Sequence, residues 1–187
     1  MKLKIIKFKS VQSTNNTAIK LIQKYKNASG LVVSEIQTRG KGTMGKKWIS
    51  KKKNIFISIF FKVDLTKYSI KFFLIINAKI IKKILKNYTN KIIKIKKPND
   101  LLIENKKICG ILQEVIEYDN QKYLITGVGI NITSAPNSNK FSATCLNDHS
   151  KQINKNLKII KSIKNAYEKL IDDLNNNNFT YIKNKYI

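Results

Sequence analysis

Apolar residues and lysines alternate at the start of the chain, which indicates a half-buried strand over residues 2–9. Residues 10–16 are polar and are predicted to form a loop. Apolar residues then recur at helical spacing, and Asn15 or Asn16 is the expected N-cap of this first helix. The amino terminus is therefore predicted to fold as a strand followed by an amphipathic helix.

The rest of the chain continues this mixture of strand and helix patterns. Short apolar runs predict further strands over residues 31–37, 55–61, 92–96, 101–104, 107–117 and 123–133. Helical periodicity predicts long helices over residues 69–85 and 157–174 and a short one from near Thr180, with a polar loop over residues 134–156. With no repeat and no linker, this order predicts one α+β domain over residues 1–187, a mixed, largely antiparallel β-sheet with helices packed against it.

Composition excludes several function classes. With 187 residues, 42% of them hydrophobic, the chain is long enough to bury a core without disulfide or metal support. Cys109 and Cys145 do not make a disulfide framework, and the single histidine, His149, cannot build a histidine-based zinc site. No apolar run approaches the roughly 18 residues of a membrane span, and the amino terminus lacks the apolar core of a signal peptide. We therefore expect a cytoplasmic protein without membrane contact.

The formal net charge of +26 leaves two interpretations open. Such a charge is typical of proteins that bind nucleic acid or anionic surfaces. However, the lysines are spread along the whole chain and Arg39 is the only arginine, although arginine is preferred for bidentate recognition of phosphates and bases. Compositional drift on a solvated surface and a functional basic face both fit this pattern, so the charge alone defines no function.

Two polar segments have the composition of ligand-binding loops. Between Gln37 and Trp48, three glycines and several lysines allow close backbone approach and anion binding, and the tryptophan offers a stacking surface. The alternative is a flexible basic loop followed by a core tryptophan. The second segment, from Lys96 to Asp100, offers a lysine for phosphate and a carboxylate for magnesium, although an ordinary Pro-Asn-Asp turn has the same sequence.

Two neighbouring predicted strands carry glycines in their interiors. Gly110 follows Lys107 in one strand, and Gly127 precedes Asn131 in the next. An interior glycine weakens a strand unless a ligand or another backbone approaches closely, although a β-bulge is the simpler explanation. Side by side, the two strands are predicted to leave a trough on the sheet that fits a flat small molecule.

Taken in order, these segments resemble the motifs of biotin protein ligases. The motifs are Ser13-Thr14-Asn15, Gln37-x-x-Gly40-Lys-Gly42-x-x-Gly45-Lys-x-Trp48, Lys96-x-Pro98-Asn99-Asp100-Leu101, Lys107-Ile-x-Gly110-Ile-Leu-x-Glu114 and Gly127-x-Gly-Ile-Asn131. The resemblance covers residues 10–135 closely and residues 157–187 more loosely. It implies the class II aminoacyl-tRNA synthetase-like biotin/lipoate ligase fold. The expected unit is a catalytic domain without an amino-terminal DNA-binding domain and without the small carboxy-terminal β-barrel domain.

The resemblance also implies a two-step reaction. Biotin attacks the α-phosphate of Mg-ATP to give biotinyl-5'-AMP and pyrophosphate. A lysine of biotin carboxyl carrier protein, an acetyl-CoA carboxylase subunit, then accepts the biotin and releases AMP. The implied cofactors are ATP and Mg²⁺, with biotin as substrate. The implied protein is a monomer or weak homodimer without a specific DNA target.

The implied site residues form three overlapping groups. The catalytic residues are Lys107, Asp100 and Lys41, and Asp100 is also the metal ligand. The biotin site contains Ser13, Thr14, Asn15, Gln37, Gly40, Lys41, Lys107, Gly110, Ile111 and Gly127. The ATP site contains Lys41, Thr43, Lys46, Trp48, Lys96, Asn99 and Asn131. By the same resemblance, the loop over residues 40–46 closes on the adenylate, while Trp48 stacks on adenine and Asn131 hydrogen-bonds to it.

The chain departs from the family pattern in its glycine loop. Lys41, Thr43 and Lys46 stand where the family usually has arginine. Lysine lacks the planar fork of arginine and threonine lacks the charge, so we predict that the adenylate leaks more readily.

Three rival interpretations stay open. A lipoate or octanoate ligase or transferase of the same fold would have a long aliphatic tunnel. A basic nucleic-acid-binding module would show steeply salt-dependent binding to any duplex. A degenerate relative would retain biotin without catalysis.

Overall fold

A computed structural model describes residues 2–26, 28–137, 142–150 and 155–187. Its elements are β1 (Ile5–Phe8), α1 (Thr14–Tyr25), β2 (Ser29–Ser34), β3 (Ile55–Lys62), α2 (Ile70–Lys86), β4 (Ile93–Lys96), β5 (Asp100–Ile103), β6 (Lys106–Tyr118), β7 (Gln121–Ile130), α3 (Asn156–Asn176) and α4 (Phe179–Tyr186). Short 3₁₀ turns lie at Thr43–Gly45 and Leu146–His149. The predicted order of strands and helices is confirmed, while the polar loop predicted over residues 134–156 lies partly outside the described residues.

The strands form one seven-stranded sheet in the order β1-β2-β3-β7-β6-β5-β4. Within the described ranges β1 and β2 run parallel, and the other neighbouring pairs are antiparallel. This confirms the predicted mixed, largely antiparallel sheet.

The two faces of the sheet carry cores of different size. Helices α2, α3 and α4 cover one face with the larger core, which includes Phe73, Ile76, Tyr167, Leu170 and Ile182. Helix α1 covers part of the other face with a smaller core of Ala18, Ile22, Val32, Phe60, Tyr123 and Ile125. The first turn of α1 lies over Gly127 of β7, so this smaller core ends where the glycine-bearing parts of β6 and β7 begin.

Helix α1 begins earlier than its polar first residues suggest. Ser13 is the N-cap, with its side chain accepting from the Asn16 amide at 3.5 Å. The prediction that Asn15 or Asn16 caps the helix is therefore wrong, because Ser13 supplies an acceptor three residues before the amide that it caps. Asn15 is instead directed toward the sheet, where it hydrogen-bonds with Ser58 and Glu114.

Strand β7 ends before the predicted residue 133 because a side chain replaces its partner strand. Asn54 Oδ1 accepts the amide of Ile132 at 2.9 Å and that of Thr133 at 3.0 Å. The amides of Ile132 and Thr133 are thus satisfied without further strand pairing.

The asparagine-rich segment near the carboxyl end joins two helices. Helix α3 runs to Asn176, and Asn178 caps α4 by accepting the Tyr181 amide at 2.9 Å. None of the helices in the described ranges is both long and apolar enough to cross a membrane.

Candidate active site

Backbone pairing beyond β1 and β2 brings two of the sequence motifs together. The amides of residues 38 and 39 donate to the carbonyls of residues 11 and 12 at 2.9 and 2.8 Å. This pairing places Gln37 beside the start of α1, where its Oε1 accepts the Thr14 amide at 2.8 Å and the Thr14 hydroxyl at 3.0 Å. The serine-threonine-asparagine motif and the glycine loop therefore border one cavity.

The cavity lies on the α1 side of the sheet, above β6 and β7. Its lining comes from all five motifs and comprises Ser13, Thr14, Asn15, Gln37, Lys41, Gly42, Thr43, Trp48, Asn99, Lys107, Gly110, Ile111, Leu112, Gly127, Val128 and Gly129. The space that remains inside is about 40 Å³, and a cavity needs about 10–15 Å³ in this measure to hold one water molecule. The glycine loop and Trp48 fill most of the trough.

Two facing glycines let Trp48 lie directly on the sheet. Gly110 and Gly129 are opposite each other in the β6–β7 ladder. A Cβ atom on Gly110 would lie 2.6 Å from Trp48 Cζ3, and one on Gly129 would lie 2.5 Å from Trp48 Cε2. Any other residue at either position would displace the indole, whose Nε1 is buried with no hydrogen-bond partner in the described part of the chain.

Two lysine–carboxylate pairs provide the charge of the site. Lys107 Nζ lies 2.6 Å from Asp100 Oδ1, with both side chains about one-quarter exposed, and it is 5.3 Å from the centroid of the Trp48 ring. Lys41 Nζ lies 3.7 Å from Glu114 Oε1. An anionic ligand that approaches Lys107 therefore competes with a carboxylate already in place.

The residues predicted to bind ATP are divided between the cavity and its surroundings. Asn99 lines the cavity, and its Nδ2 donates to the Ile111 carbonyl at 2.7 Å. Asn131 is buried behind the lining, where its Nδ2 donates to the Thr144 carbonyl at 3.2 Å and the Lys107 carbonyl at 3.4 Å. The other predicted site residues outside the lining are Gly40, Lys46, Lys96 and Asp100.

Sequence reasoning missed several residues of the site. Leu112 and Val128 line the cavity, but an apolar strand residue has the same pattern whether it faces a cavity or a core. Gly42 and Gly129 belong to the quoted motifs and could have been assigned from their glycine spacing. Glu114, also in a motif, contacts the site from behind the lining.

The site offers little covalent chemistry, and its carboxylates Asp100 and Glu114 are each paired with a lysine. Burial raises the pKa of the Cys109 thiol, so this neighbour of Gly110 stays protonated and is a poor nucleophile. In the described part of the chain, no three or more histidine, cysteine, aspartate or glutamate side chains cluster as a metal site. A single carboxylate such as Asp100 suits Mg²⁺ that arrives bound to nucleotide phosphates.

The chain is similar in sequence to known ligases. Residues 7–131 match the profile of the Biotin/lipoate A/B protein ligase family. The chain is 30% identical over 179 residues to the bifunctional ligase/repressor BirA of Bacillus subtilis (strain 168), over 92% of this chain and 55% of that protein. The chain therefore spans about half the length of the curated relatives that it matches.

Solved structures share the same fold. The biotin protein ligase from Aquifex aeolicus in complex with biotin and ATP has a TM-score of 0.79 and 22% identity, over 98% of this chain and 76% of that one. The Leishmania major biotin protein ligase in complex with biotinyl-5-AMP has a TM-score of 0.73 and 22% identity, over 98% of this chain and 79% of that one. Fold and profile agree: the chain belongs to the Biotin/lipoate A/B protein ligase family.

Proposed function

We propose that this chain is a biotin protein ligase, which activates biotin with Mg-ATP as biotinyl-5'-AMP and transfers it to a lysine of biotin carboxyl carrier protein. The observation that carries the proposal is that all five motifs contribute residues to one cavity. The relatives support it, because one is named a bifunctional ligase/repressor and similar folds hold biotin with ATP or biotinyl-5-AMP. Residues 1–187 would form one catalytic domain, and the cytoplasmic location and the monomeric or weakly dimeric state stay predictions.

In the proposed first step, a carboxylate oxygen of biotin bonds to the α-phosphorus of ATP and the bond to pyrophosphate breaks. Negative charge builds on the α-phosphate oxygens, and an ammonium group beside them lowers the barrier. Lys107 is the candidate, because it lines the cavity and its ammonium contacts Asp100 and the Trp48 ring face. When the phosphates draw Lys107 away, the freed Asp100 carboxylate would hold Mg²⁺, which neutralises triphosphate charge.

In the proposed second step, the carrier amine attacks the carbonyl of the mixed anhydride. The C–O bond to AMP breaks, an amide forms, and the amine loses a proton. The protein supplies no nucleophile, so positioning and exclusion of water are its main contributions. Trp48 and the glycine loop suit this role, since they cover the trough.

The polar end of the cavity favours biotin over lipoate or octanoate. Ser13, Thr14 and Asn15 are each less than 5% exposed and line the cavity together with Gln37. Hydroxyl and amide groups of this kind can pair with the ureido ring of biotin, whereas an aliphatic acyl chain offers them no hydrogen bond.

Adenylate formation from ATP labelled at the α-phosphate tests this proposal. We expect labelled biotinyl-5'-AMP with biotin, much less acyl-adenylate with lipoate or octanoate, and loss of at least about 100-fold in the Lys107→Ala variant. Equal or faster turnover of lipoate would assign the chain to the lipoate branch, and no adenylate with any of the three acids would reject the ligase proposal.

A further inference from the structure

Glu114 contacts two separate parts of the site without lining the cavity itself. Its Oε2 accepts a hydrogen bond from Asn15 Nδ2 at 2.6 Å, and its Oε1 lies 3.7 Å from Lys41 Nζ. Asn15 belongs to the first turn of α1, and Lys41 belongs to the glycine loop. One carboxylate on β6 therefore contacts both the helix that borders the trough and the loop that covers it.

The contact to Asn15 fixes the orientation of that amide. Asn15 is 2% exposed, and its Oδ1 accepts the Ser58 hydroxyl at 2.5 Å. Because an ionised carboxylate only accepts hydrogen bonds, the Nδ2 group must face Glu114. The amide also lies against Gly127, where an added Cβ would collide with Asn15 Oδ1. Glu114 thus holds one polar wall of the cavity in a single arrangement.

The contact to Lys41 holds the whole glycine loop. Lys41 forms an antiparallel bridge with Lys47, and the Trp48 amide donates to the Gly40 carbonyl at 2.9 Å. The two arms of the loop are therefore fastened to each other, so a restraint on Lys41 also restrains Trp48. The adjoining turn has Met44 in the left-handed region at φ 53° and leaves its side chain 86% exposed, so it adds no packing at the loop tip.

We propose that Glu114 is a positioning residue that clamps the glycine loop over the trough through Lys41 while it aligns Asn15. The catalytic consequence rests on the proposed function, because a clamped loop would keep water from the adenylate. The clamp is made by side chains of this chain alone and is measurable without any substrate.

Quenching of Trp48 fluorescence by acrylamide tests the clamp directly, since Trp48 is the only tryptophan. Glu114→Gln keeps an oxygen acceptor for Asn15 but loses the charge that attracts Lys41. We expect its quenching constant to rise about two-fold, as suits a partly exposed ion pair. Glu104→Gln is the matched control, because it removes the Lys91–Glu104 pair at 2.7 Å outside the site; we expect no change there.

A double variant separates the clamp from a general loss of structure. Lys41→Met should raise quenching as much as Glu114→Gln does, and Glu114→Gln should add nothing in the Lys41→Met background. Unchanged quenching in Glu114→Gln, or fully additive effects in the double variant, would overturn the clamp. A lower melting temperature with unaltered quenching would also overturn it.

Adenylate release links the clamp to the proposed function. We expect Glu114→Gln to release about two-fold more free biotinyl-5'-AMP per carrier modified, with a smaller change in the rate of adenylate formation. If the wild-type chain makes no adenylate, the proposed function fails while the quenching result still decides the clamp. A third outcome is that the wild-type chain makes adenylate and a variant with raised Trp48 quenching releases no more of it. The clamp would then play no part in protecting the intermediate, and its proposed catalytic role is rejected.

Discussion

The indole of Trp48 rests on Gly110 and Gly129, and this contact explains why two strands tolerate glycines in their interiors. Each glycine leaves room for the ring, and a methyl group at either position would overlap it. The energetic cost of the glycines is offset by the fit of a flat side chain, and the same surface fits a flat ligand once the indole moves.

Gly129→Ala should lift Trp48 from the sheet. The new Cβ would lie 2.5 Å from Trp48 Cε2, and overpacking of this kind costs about 1–3 kcal/mol. We expect a red-shifted tryptophan emission and a fall in biotin activation of about ten-fold or more. Emission spectra and adenylate assays that match the wild type would show that the indole is not seated on Gly129.

Thr43→Arg should restore a charge to the glycine loop. Thr43 lines the cavity but has no charge to hold a phosphate, and arginine binds phosphate in a bidentate manner. We expect the variant to release less free biotinyl-5'-AMP per carrier modified than the wild type. If the wild type releases no more free biotinyl-5'-AMP than Thr43→Arg does, the prediction that Thr43 makes the adenylate leak is wrong.

Among the secondary-structure elements, the strands and long helices could be predicted from sequence, because their periodicity is local. Alternating lysines marked β1, and the glycines of β6 and β7 marked the trough. The periodicity of single elements could not predict which side chains far apart in sequence contact each other. Glu114 contacts Lys41 and Asn15 across the fold, and Asn131 turns toward Thr144 behind the lining. Such contacts depend on how the elements pack, which the periodicity of each element does not encode.

A carboxylate on α3 contributes to the docking of α4, and this contribution is sensitive to acid. Asp173 accepts the Tyr186 hydroxyl at 2.6 Å and pairs with Lys185 at 2.7 Å. Burial raises the pKa of Asp173, but hydrogen bonds from Lys185 and Tyr186 outweigh it and hold the pKa below the ordinary value of 3.8. The pKa of Asp173 is therefore lower in the folded chain than in the unfolded chain. The ionised carboxylate stabilises the fold fully above the unfolded pKa, and this stabilisation is lost as the pH falls through the folded pKa.

Asp173→Asn should therefore lower the free energy of unfolding at neutral pH by about 1 kcal/mol. The difference from the wild type should shrink as the pH falls below about 4. Urea unfolding at several pH values measures it. A difference that stays constant down to the acid limit would show that the charge of Asp173 does not hold α4.

Considered as a whole, the molecule combines a ligand cavity with a net charge of +26. Lysines are spread over the sequence rather than confined to the site, so the charge is expected to act at long range on an acidic partner. Electrostatic steering of that kind raises association rates and weakens with salt. A basic surface and a biotin site would then serve the same encounter with a carrier domain.

The association rate with an acidic carrier domain should fall about ten-fold between about 0.05 M and about 0.5 M salt, because the Debye length shortens over this range. Stopped-flow measurement of carrier binding to the adenylate-loaded chain tests it. A rate independent of ionic strength would leave the basic surface without a role in carrier recognition, and tight binding to any DNA duplex would favour the nucleic-acid interpretation instead.

Biotin-dependent exchange of pyrophosphate into ATP tests the proposed ligase activity most directly, because it reports the first chemical step without any carrier protein. We expect exchange that requires both biotin and Mg²⁺ and that is lost in Lys107→Ala. Lys94→Ala, at an exposed position of β4, is the matched control. Exchange that persists in Lys107→Ala, or that is absent from the wild-type chain, would contradict the proposal.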